Sequence, residues 1–161
     1  MSPGVRIVPM ILRDANDFVE KWHRHSARTS NDGGKYAIGL EHDGQIVGVA
    51  IVGRPIARLL HEEGAAELLR LCTSPAAPKG SGSKLYSRAK RIWQLMGGTL
   101  FHTYTLKHES GATMRGAGVH EAAAEIDGQQ WDRPSRPRDE KDVYDQPKLR
   151  WTETLTEIPI K

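Results

Sequence analysis

The segment 67–93, ELLRLCTSPAAPKGSGSKLYSRAKRIW, limits the fold more than any other part of the chain. It begins with an apolar run typical of a buried strand, continues through a turn rich in Pro, Gly and Ser, and ends in a basic amphipathic run. The spacing of apolar residues predicts a strand over 66–73 and a helix over about 81–96, ended by Gly97-Gly98. The helix face expected to be buried consists of Leu85, Ala89, Ile92 and Met96.

The remaining segments predict further elements. Asp43-Gly44 between two apolar runs predicts a tight antiparallel hairpin, because both residues tolerate the positive φ angles of such a turn. A helix is expected over 14–25, with Asp14 as its N-cap. Strands are expected at 5–10, 99–106 and 150–158, and a short helix at 109–118.

The resulting order is β-α-β-β-β-α-β-α-loop-β, in a length that fits a single domain, 1–161. We therefore expect an α/β (α+β) fold with a mixed, mostly antiparallel central sheet and helices on both faces. Residues 132–148 are dense in Pro and charge and are expected to form a long loop.

Composition narrows the class of protein. The absence of a long apolar run and of a leader pattern predicts a cytoplasmic protein without membrane contact. The single cysteine, Cys72, excludes an internal disulfide framework and a zinc site built from several cysteines. The net charge of +3 and the isoelectric point near 9.1 leave polyanionic partners such as nucleic acid open.

The turn at 79–83 has the features of an anion site. The first N–H groups of a helix lack partners, and the helix dipole is positive at that end. Gly80 and Gly82 allow close approach, Ser81 and Ser83 can add hydroxyl donors, and Lys79 can add charge. The spacing matches neither the P-loop nor the dinucleotide fingerprint. From the residues alone, a phosphate cradle and a plain flexible turn both remain open.

The order of elements around Gly-Ser-Gly resembles the GNAT superfamily of N-acetyltransferases. The signature of that family, [QR]-x-x-G-x-[GA], corresponds to APKGSG here, with Ala77 in place of Gln or Arg. A subset found in phages and prophages is more similar, over residues 5–151. More distantly, the chain resembles the phage Mom protein, which modifies adenine in DNA. The segments that carry the likeness to the subset are WHRH at 22–25, VGVAIVGRP at 47–55, RLCT at 70–73 and ESGA at 109–112.

The resemblance implies a GNAT-like fold and acetyl-CoA, or another acyl-CoA, as acyl donor. The backbone of Leu71, Cys72 and Thr73 would lie beside the pantetheine arm. The pyrophosphate would be bound by 79–83: Lys79, Gly80, Ser81, Gly82 and Ser83. The thioester would then point into a cleft where the fourth and fifth strands diverge.

The resemblance also implies catalytic residues. Glu67 lies on the strand that carries the general base in many members of the family. The Tyr that protonates the leaving thiolate in many members corresponds to Met114, so the usual acid is missing. Tyr104, Ser110 and Glu109 are candidates by position, and catalysis by positioning and backbone amides alone is the alternative.

Other polar residues are candidates for contact with the acceptor. Trp22, His23 and His25 lie where the end of the first helix walls the acceptor pocket in this family. The two histidines are two residues apart on a predicted helix and face different directions, so we expect no metal there. Arg54 and Arg70 lie in or beside apolar strands, where they need an anionic partner, either a substrate or an internal carboxylate. Trp131 and Trp151, near the basic segment 133–138, could stack on bases.

These observations leave three functions. The first is an acyl-CoA-dependent N-acyltransferase of phage or prophage type, acting in the cytoplasm of a bacterial host. The second is a Mom-like DNA-modification enzyme, and the third a non-catalytic binding module with the same fold. The expected partners are a CoA thioester and an acceptor that is a small molecule, a protein or DNA. The oligomeric state is open, with a homodimer as one option.

Overall fold

The computed structural model describes residues 4–22, 29, 34–56, 60, 62–106, 112–119, 124–126 and 148–160. Within these residues the chain forms three helices and seven strands. In chain order the elements are β1 (Val5–Met10), α1 (Leu12–Trp22), β2 (Gly34–His42), β3 (Gln45–Gly53), β4 (Ala65–Thr73), α2 (Ser81–Leu95), β5 (Leu100–Leu106), α3 (Ala112–Gly116), β6 (Ala124–Ile126) and β7 (Lys148–Thr154).

The strands form one sheet in the order β1-β2-β3-β4-β5-β7-β6. Each neighbouring pair is antiparallel except β4 and β5, which run parallel because the chain returns between them through α2. The predicted fold class, a mixed and mostly antiparallel sheet with helices, is confirmed. No helix among the described residues has the length and apolar character needed to cross a membrane.

The turn between β2 and β3 has the predicted geometry. Asp43 has φ of 50° and Gly44 has φ of 78°, so both central residues are left-handed. This conformation matches the twist of an antiparallel pair, and it fixes the register of the two strands. The sequence prediction of a hairpin at Asp43-Gly44 is confirmed.

Helices cover both faces of the sheet. Along β3, Val49 and Ile51 pack in the cluster that contains Ala15 and Val19 of α1. Ala50 and Val52, which alternate with them, belong to the cluster that contains Leu85, Tyr86 and Ala89 of α2. A strand buried on both faces needs apolar side chains at every position, which explains the uninterrupted run IVGVAIVG.

The buried face of α2 differs in part from the prediction. Met96 is 59% exposed, because α2 ends at Leu95 and Met96 is its C-cap residue. Tyr86 and Trp93 are buried instead, and each has a partner for its polar group. The hydroxyl of Tyr86 donates to Glu153, and the Trp93 indole N–H lies 3.0 Å from the Gly64 carbonyl oxygen. The end of the helix at Gly97, with φ of 94°, is as predicted.

Other helix and strand boundaries also differ from the predicted ones. The helix α1 begins at Leu12, so Asp14 lies in its first turn rather than at the N-cap, where its charge still favours the helix dipole. Strand β7 begins at Lys148, which was assigned to the loop, and the three-residue strand β6 was not predicted. The rest of the predicted loop, 132–147, and Trp131 lie outside the described residues, as do His23 and His25.

We expect Leu85→Ala to lower the free energy of unfolding by about 2–5 kcal/mol, since Leu85 is fully buried under the sheet. Urea denaturation followed by circular dichroism measures the change. The matched control is Leu95→Ala in the last turn of the same helix. Leu95 is 61% exposed, so its truncation should change stability by less than about 0.5 kcal/mol. Equal effects at the two positions would contradict this packing.

Candidate functional site

Strands β4 and β5 separate after a short paired stretch. Their register runs from Ala65 with Leu100 to Leu68 with Thr103 and stops there. Residues 70–73 of β4 continue with β3 as their only paired strand among the described residues. Alternate N–H and C=O groups of this stretch therefore face the space between the two strands, here called the β4–β5 gap. Such an edge can hydrogen-bond an extended ligand as a further strand would.

A β-bulge lies where the gap begins. Ile51 pairs with Arg70 and Val52 pairs with Leu68, which leaves Leu69 without a partner on β3. A bulge bends its strand and increases the local twist. The bulge therefore lies at the position where a bend in β4 carries the strand away from β5. The predicted divergence of the fourth and fifth strands is present at this point.

The turn before α2 presents backbone N–H groups. Gly80 is the N-cap residue of α2, has φ of 85°, and no side chain caps the helix. The N–H and hydroxyl of Ser81 both donate to the Pro78 carbonyl oxygen. Among the described residues, the N–H groups of Gly80, Gly82 and Ser83 have no hydrogen-bond partner. These three donors, together with the dipole of α2, form a place suited to an anion.

The side chains of this turn have roles that the sequence did not reveal. The hydroxyls of Ser81 and Ser83 are used inside the protein, because Ser83 Oγ lies 3.0 Å from the Thr113 carbonyl oxygen and donates to it. They therefore do not supply the hydroxyl donors that were expected. A Cβ on Gly82 would lie 2.9 Å from Thr113 Oγ1, so this glycine also lets α2 and α3 pack. A Cβ on Gly80 would meet nothing within 4 Å, which leaves the approach to the turn open.

Glu67 is a buried carboxylic acid close to the start of the gap. It is 4% exposed, and its Oε2 accepts a hydrogen bond of 2.8 Å from the backbone N–H of Ile56. Burial raises the pKa of Glu67 to about 7, although that hydrogen bond and the charges of Arg70 and Lys148 act to lower it. A group with such a pKa can both take and release a proton near neutral pH.

Tyr104 stands on β5 opposite Arg150 of β7. Burial raises the pKa of Tyr104 to about 12, and the charge of Glu67 adds to this effect. The charge of Arg150 acts in the other direction and lowers this pKa. The hydroxyl is thus protonated at neutral pH and can serve as a proton donor.

The sequence analysis missed three ionisable residues in this region: His102, Lys148 and Arg150. His102 is 2% exposed, and its Nδ1 lies 2.9 Å from Thr152 Oγ1. Burial lowers the pKa of His102, and the charge of Arg150 lowers it further. Lys148 is 7% exposed and lies on the same strand as Arg150. Its charge acts to lower the pKa of Glu67. The missed signal is alternation in β7, where Lys148, Arg150, Thr152 and Thr154 occupy every second position.

The other predicted site residues divide into two groups. Arg70 lies near Glu67 and donates to the Leu69 carbonyl oxygen at 2.7 Å, so it belongs with Glu67 and Tyr104. Arg54 is exposed after β3, and Trp22 is 37% exposed at the end of α1. Within the described residues, no hydrogen bond or ion pair joins Trp22 or Arg54 to that group. Ser110 and Glu109 lie outside the described residues.

Two positions have side chains that face the core. Cys72 packs with α1, and burial raises the pKa of its thiol to about 11, so only its backbone faces the β4–β5 gap. Met114 is 2% exposed and belongs to the core between α2 and the sheet. Met114 therefore makes an apolar core contact and offers no proton donor at the position where the resemblance implies a Tyr. Among the described residues no group of three or more His, Cys, Asp and Glu side chains could hold a metal ion.

We expect the free energy of unfolding to fall between pH 4.5 and pH 7 through Glu67. The folded-state pKa of about 7 is above the ordinary value of 4.5, so the folded chain holds this proton more tightly. The corresponding stability, on the order of 3 kcal/mol, is present below pH 4.5 and lost as the pH rises through 7. Urea denaturation at pH 5 and 7.5 measures it. Glu67→Gln should remove this part of the pH dependence, and an unchanged pH dependence would contradict the assignment.

Comparison with solved structures identifies the fold. The ribosomal-protein-S18-alanine N-acetyltransferase from Escherichia coli superimposes with a TM-score of 0.66 at 11% identity, covering 96% of each chain. A GNAT family acetyltransferase from Elizabethkingia anophelis with acetyl-CoA bound gives 0.65 at 12% identity, over 96% of this chain and all of the other. The Bacillus subtilis acetyltransferase in complex with CoA gives 0.63 at 12% identity, over 94% and 98%. No protein-family model matches the sequence, and no curated protein matches it significantly. The chain has the fold of GNAT acetyltransferases.

Proposed function

We propose that this protein is an acyl-CoA-dependent N-acyltransferase that uses acetyl-CoA and acts in the cytoplasm. The observation that supports the proposal most is that β4, after leaving β5, leads directly to the uncapped N-terminus of α2. A CoA thioester has an extended pantetheine arm followed by a diphosphate. The arm needs a free strand edge, and the diphosphate needs a helix N-terminus directly after it. Two of the similar structures contain CoA or acetyl-CoA, which adds support.

The donor would bind along β4 and the α2 turn. The pantetheine arm would hydrogen-bond the free edge at Leu71, Cys72 and Thr73. The pyrophosphate would accept hydrogen bonds from the N–H groups of Gly80, Gly82 and Ser83, with Lys79 adding charge. In this proposal Ser81 shapes the turn through its bonds to Pro78 and donates nothing to the phosphate.

The acyl transfer needs a proton acceptor and a proton donor. The bound thioester supplies an activated acyl carbon. Glu67 takes a proton from the ammonium form of the acceptor, so that the amine nitrogen can attack that carbon. The C–N bond forms, the C–S bond breaks, and Tyr104 gives its proton to the sulfur. The nitrogen of the new amide gives its second proton to the Tyr104 phenolate, and Glu67 releases its proton to solvent. Ser110 remains an alternative donor by position, and Met114 cannot serve.

The acceptor would lie against the remaining predicted residues. We expect one wall of the acceptor site to include Trp22 at the end of α1 and Arg54. His23 and His25, which follow Trp22 in the sequence, are expected to contribute to the same wall. Arg70 and Glu109 would contact polar groups of the acceptor. The E. coli neighbour acts on an alanine of a ribosomal protein, and a protein amine is one of the acceptor classes to test here.

Two narrower readings remain as proposals. The segments WHRH, VGVAIVGRP, RLCT and ESGA support a phage-type member and, more distantly, a Mom-like enzyme that modifies adenine in DNA. Ala77 in the signature and the buried Met114 favour a non-catalytic binding module instead. The buried acid–base groups Glu67 and Tyr104 support catalysis over that reading.

Binding of acetyl-CoA is tested by thermal unfolding. At 100 times its dissociation constant, acetyl-CoA should stabilise the folded chain by about 2.7 kcal/mol and raise Tm. Lys79→Ala should reduce the rise with acetyl-CoA and leave any rise with acetyl-pantetheine, which lacks the phosphates, unchanged. Arg91→Ala, which removes an exposed charge from the body of α2, is the matched control. No rise at millimolar acetyl-CoA would refute the proposal.

Catalysis is tested with a panel of amines: spermidine, free lysine and short peptides with a free α-amino group. Thiol release from acetyl-CoA measures the rate. Glu67→Gln should lower kcat by about 10²–10⁴-fold and leave the KM of acetyl-CoA unchanged, because the substitution removes only the proton acceptor. Tyr104→Phe should also lower kcat. Binding of acetyl-CoA without turnover of any amine would favour the binding module.

The DNA-modification reading has its own test. Mass spectrometry of nucleosides after co-expression with plasmid DNA should reveal a modified adenine if the reading is correct. Binding to duplex DNA should then weaken steeply with salt, because phosphate contacts release counterions. Unmodified nucleosides, together with acetylation of an amine in the panel, would leave the N-acyltransferase as the function.

A further inference from the structure

One face of the sheet becomes polar over β5 and β7. Phe101 of β5 packs in the cluster that contains α2. Side chains alternate between the faces along a strand, so His102 and Tyr104 lie on the opposite face. Their ladder partners, Glu67 on β4 and Arg150 on β7, share that face. We call it the polar face, and its side chains are Glu67, His102, Tyr104, Lys148, Arg150 and Thr152.

Two buried nitrogen atoms on the polar face lack a hydrogen-bond partner. They are Nε2 of His102 and Nε of Arg150, which are both shielded from solvent and unpaired in the described part of the chain. His102 is 2% exposed, and the 2.9 Å bond between its Nδ1 and Thr152 Oγ1 orients the ring. Buried polar atoms without partners are rare in folded proteins, and a bound group is one reason for them.

The two nitrogens belong to neighbouring side chains. Arg150 pairs with Tyr104 in the ladder of β5 and β7, and Thr152, two positions further on, pairs with His102. Strand positions two apart are separated by about 7 Å, which the long side chain of Arg150 can span. The charge of Arg150 acts to lower the pKa of both His102 and Tyr104, so the guanidinium lies within electrostatic reach of both rings.

Positive charge exceeds negative charge around this site. Arg70 and Lys148 act on Glu67, and Arg150 acts on Tyr104. Glu67 balances less than one of these cations, because its pKa of about 7 leaves much of it protonated at neutral pH. A further acid that acts on His102 is Glu62, which is exposed. Excess charge in a shielded site is costly, and a bound anion offsets that cost.

We propose that the acceptor is a small amine with a carboxylate or phosphate group, and that Arg150 binds this anionic group. The inference rests on the proposed function and names the class of its acceptor. The guanidinium presents Nε–H and an Nη–H side by side, which matches two oxygens of a carboxylate or phosphate. His102 donates a third hydrogen bond from Nε2–H, with Nδ1 accepting from the Thr152 hydroxyl. The amine of the same molecule then lies toward Glu67, which takes its proton.

The same charges disfavour a polycationic acceptor. Spermidine has no anionic group, so its ammonium groups would meet Arg70, Lys148 and Arg150 without compensation. An amino acid or O-phosphoethanolamine brings a negative charge of its own. Glu67 and His102 are 4% and 2% exposed, a degree of burial that suits a small molecule.

Binding of the anionic group is tested without turnover. The Nε–H signal of Arg150 in nitrogen–proton NMR, assigned by comparison with Arg150→Lys, reports a new hydrogen bond at that nitrogen. The probes are glycine, aspartate, lysine and O-phosphoethanolamine in the presence of CoA, and glycinamide, which lacks the carboxylate, is the control. We expect an anionic probe to move the signal and glycinamide to leave it in place. No movement with any anionic probe at millimolar concentration would overturn the inference.

Specificity is tested with pairs of acceptors that differ in one charge: each amino acid beside its carboxamide, and O-phosphoethanolamine beside ethanolamine. We expect kcat/KM to be about 10–100-fold higher for the charged member, the factor typical of a hydrogen bond to a charged group. Arg150→Gln should bring this ratio to about 1 by raising the KM of the charged acceptor. Arg150→Lys should retain part of the ratio, because it keeps the charge and loses the planar fork. A purely structural role would lower both members alike and leave the ratio unchanged.

The matched control is Arg91→Gln, which removes an exposed charge from α2 and should keep the ratio. Preference for the amino acids identifies the anionic group as a carboxylate, and preference for O-phosphoethanolamine identifies it as a phosphate. Either result supports the inference.

Fastest acetylation of spermidine, or a ratio near unity in the unmodified protein, would overturn the inference and leave the N-acyltransferase intact. Absence of both acetyl-CoA binding and acetylation would refute the proposed function, and the NMR titration would then decide whether Arg150 binds an anionic amine. Should Arg150→Gln fail to fold, the acceptor pairs and the NMR titration of the unmodified protein decide.

Discussion

The short parallel pairing of β4 with β5 is the constraint on which the rest of the structure depends. In the described chain it joins an antiparallel half, β1 to β4, to a second half formed by β5, β7 and β6. Four residue pairs hold the strands together before they separate. Helix α2 makes this possible because it contacts both halves. The hydroxyl of Tyr36 on β2 donates to the Ala89 carbonyl oxygen, while Tyr86 packs its ring against Phe101, 5.7 Å between centroids, and bonds Glu153.

Burial of the polar residues beside the gap destabilises the folded chain, and apolar packing elsewhere offsets this cost. Burying Glu67 and His102 disfavours their charged forms, and neither contributes apolar packing. The apolar clusters on either face of β3 and β4 supply the compensating stability. Buried polar groups with shifted pKa values are typical of functional sites, because catalysis needs proton affinities that water-exposed side chains do not have. The position of these groups at the opening of the gap is consistent with that rule.

Much of this fold was readable from the sequence because its elements carry strong local signals. The Asp43-Gly44 turn, the double-sided apolar run of β3 and the Gly97 helix end each follow from residue chemistry alone. The three-residue strand β6 could not be read, since its pairing with β7 depends on residues distant in sequence. The candidate site was readable in part. The sequence named Glu67 and Tyr104 as candidates, and their roles stay predictions. Thr152 and Arg150 come near them only through the β5–β7 register, which the sequence does not show. The local use of the Ser81 hydroxyl has no sequence signal either.

The hydrogen bond from the Ile56 N–H to Glu67 links the acid to the chain that follows β3. An ionised carboxylate accepts this bond more strongly than a protonated one. The charge on Glu67 therefore sets how firmly the backbone at Ile56 is held. By linkage, whatever holds Ile56 in place also favours the charged, base-competent form of the acid. The proton affinity of Glu67 and the order of the backbone at Ile56 are thus coupled, and a change in one shifts the other.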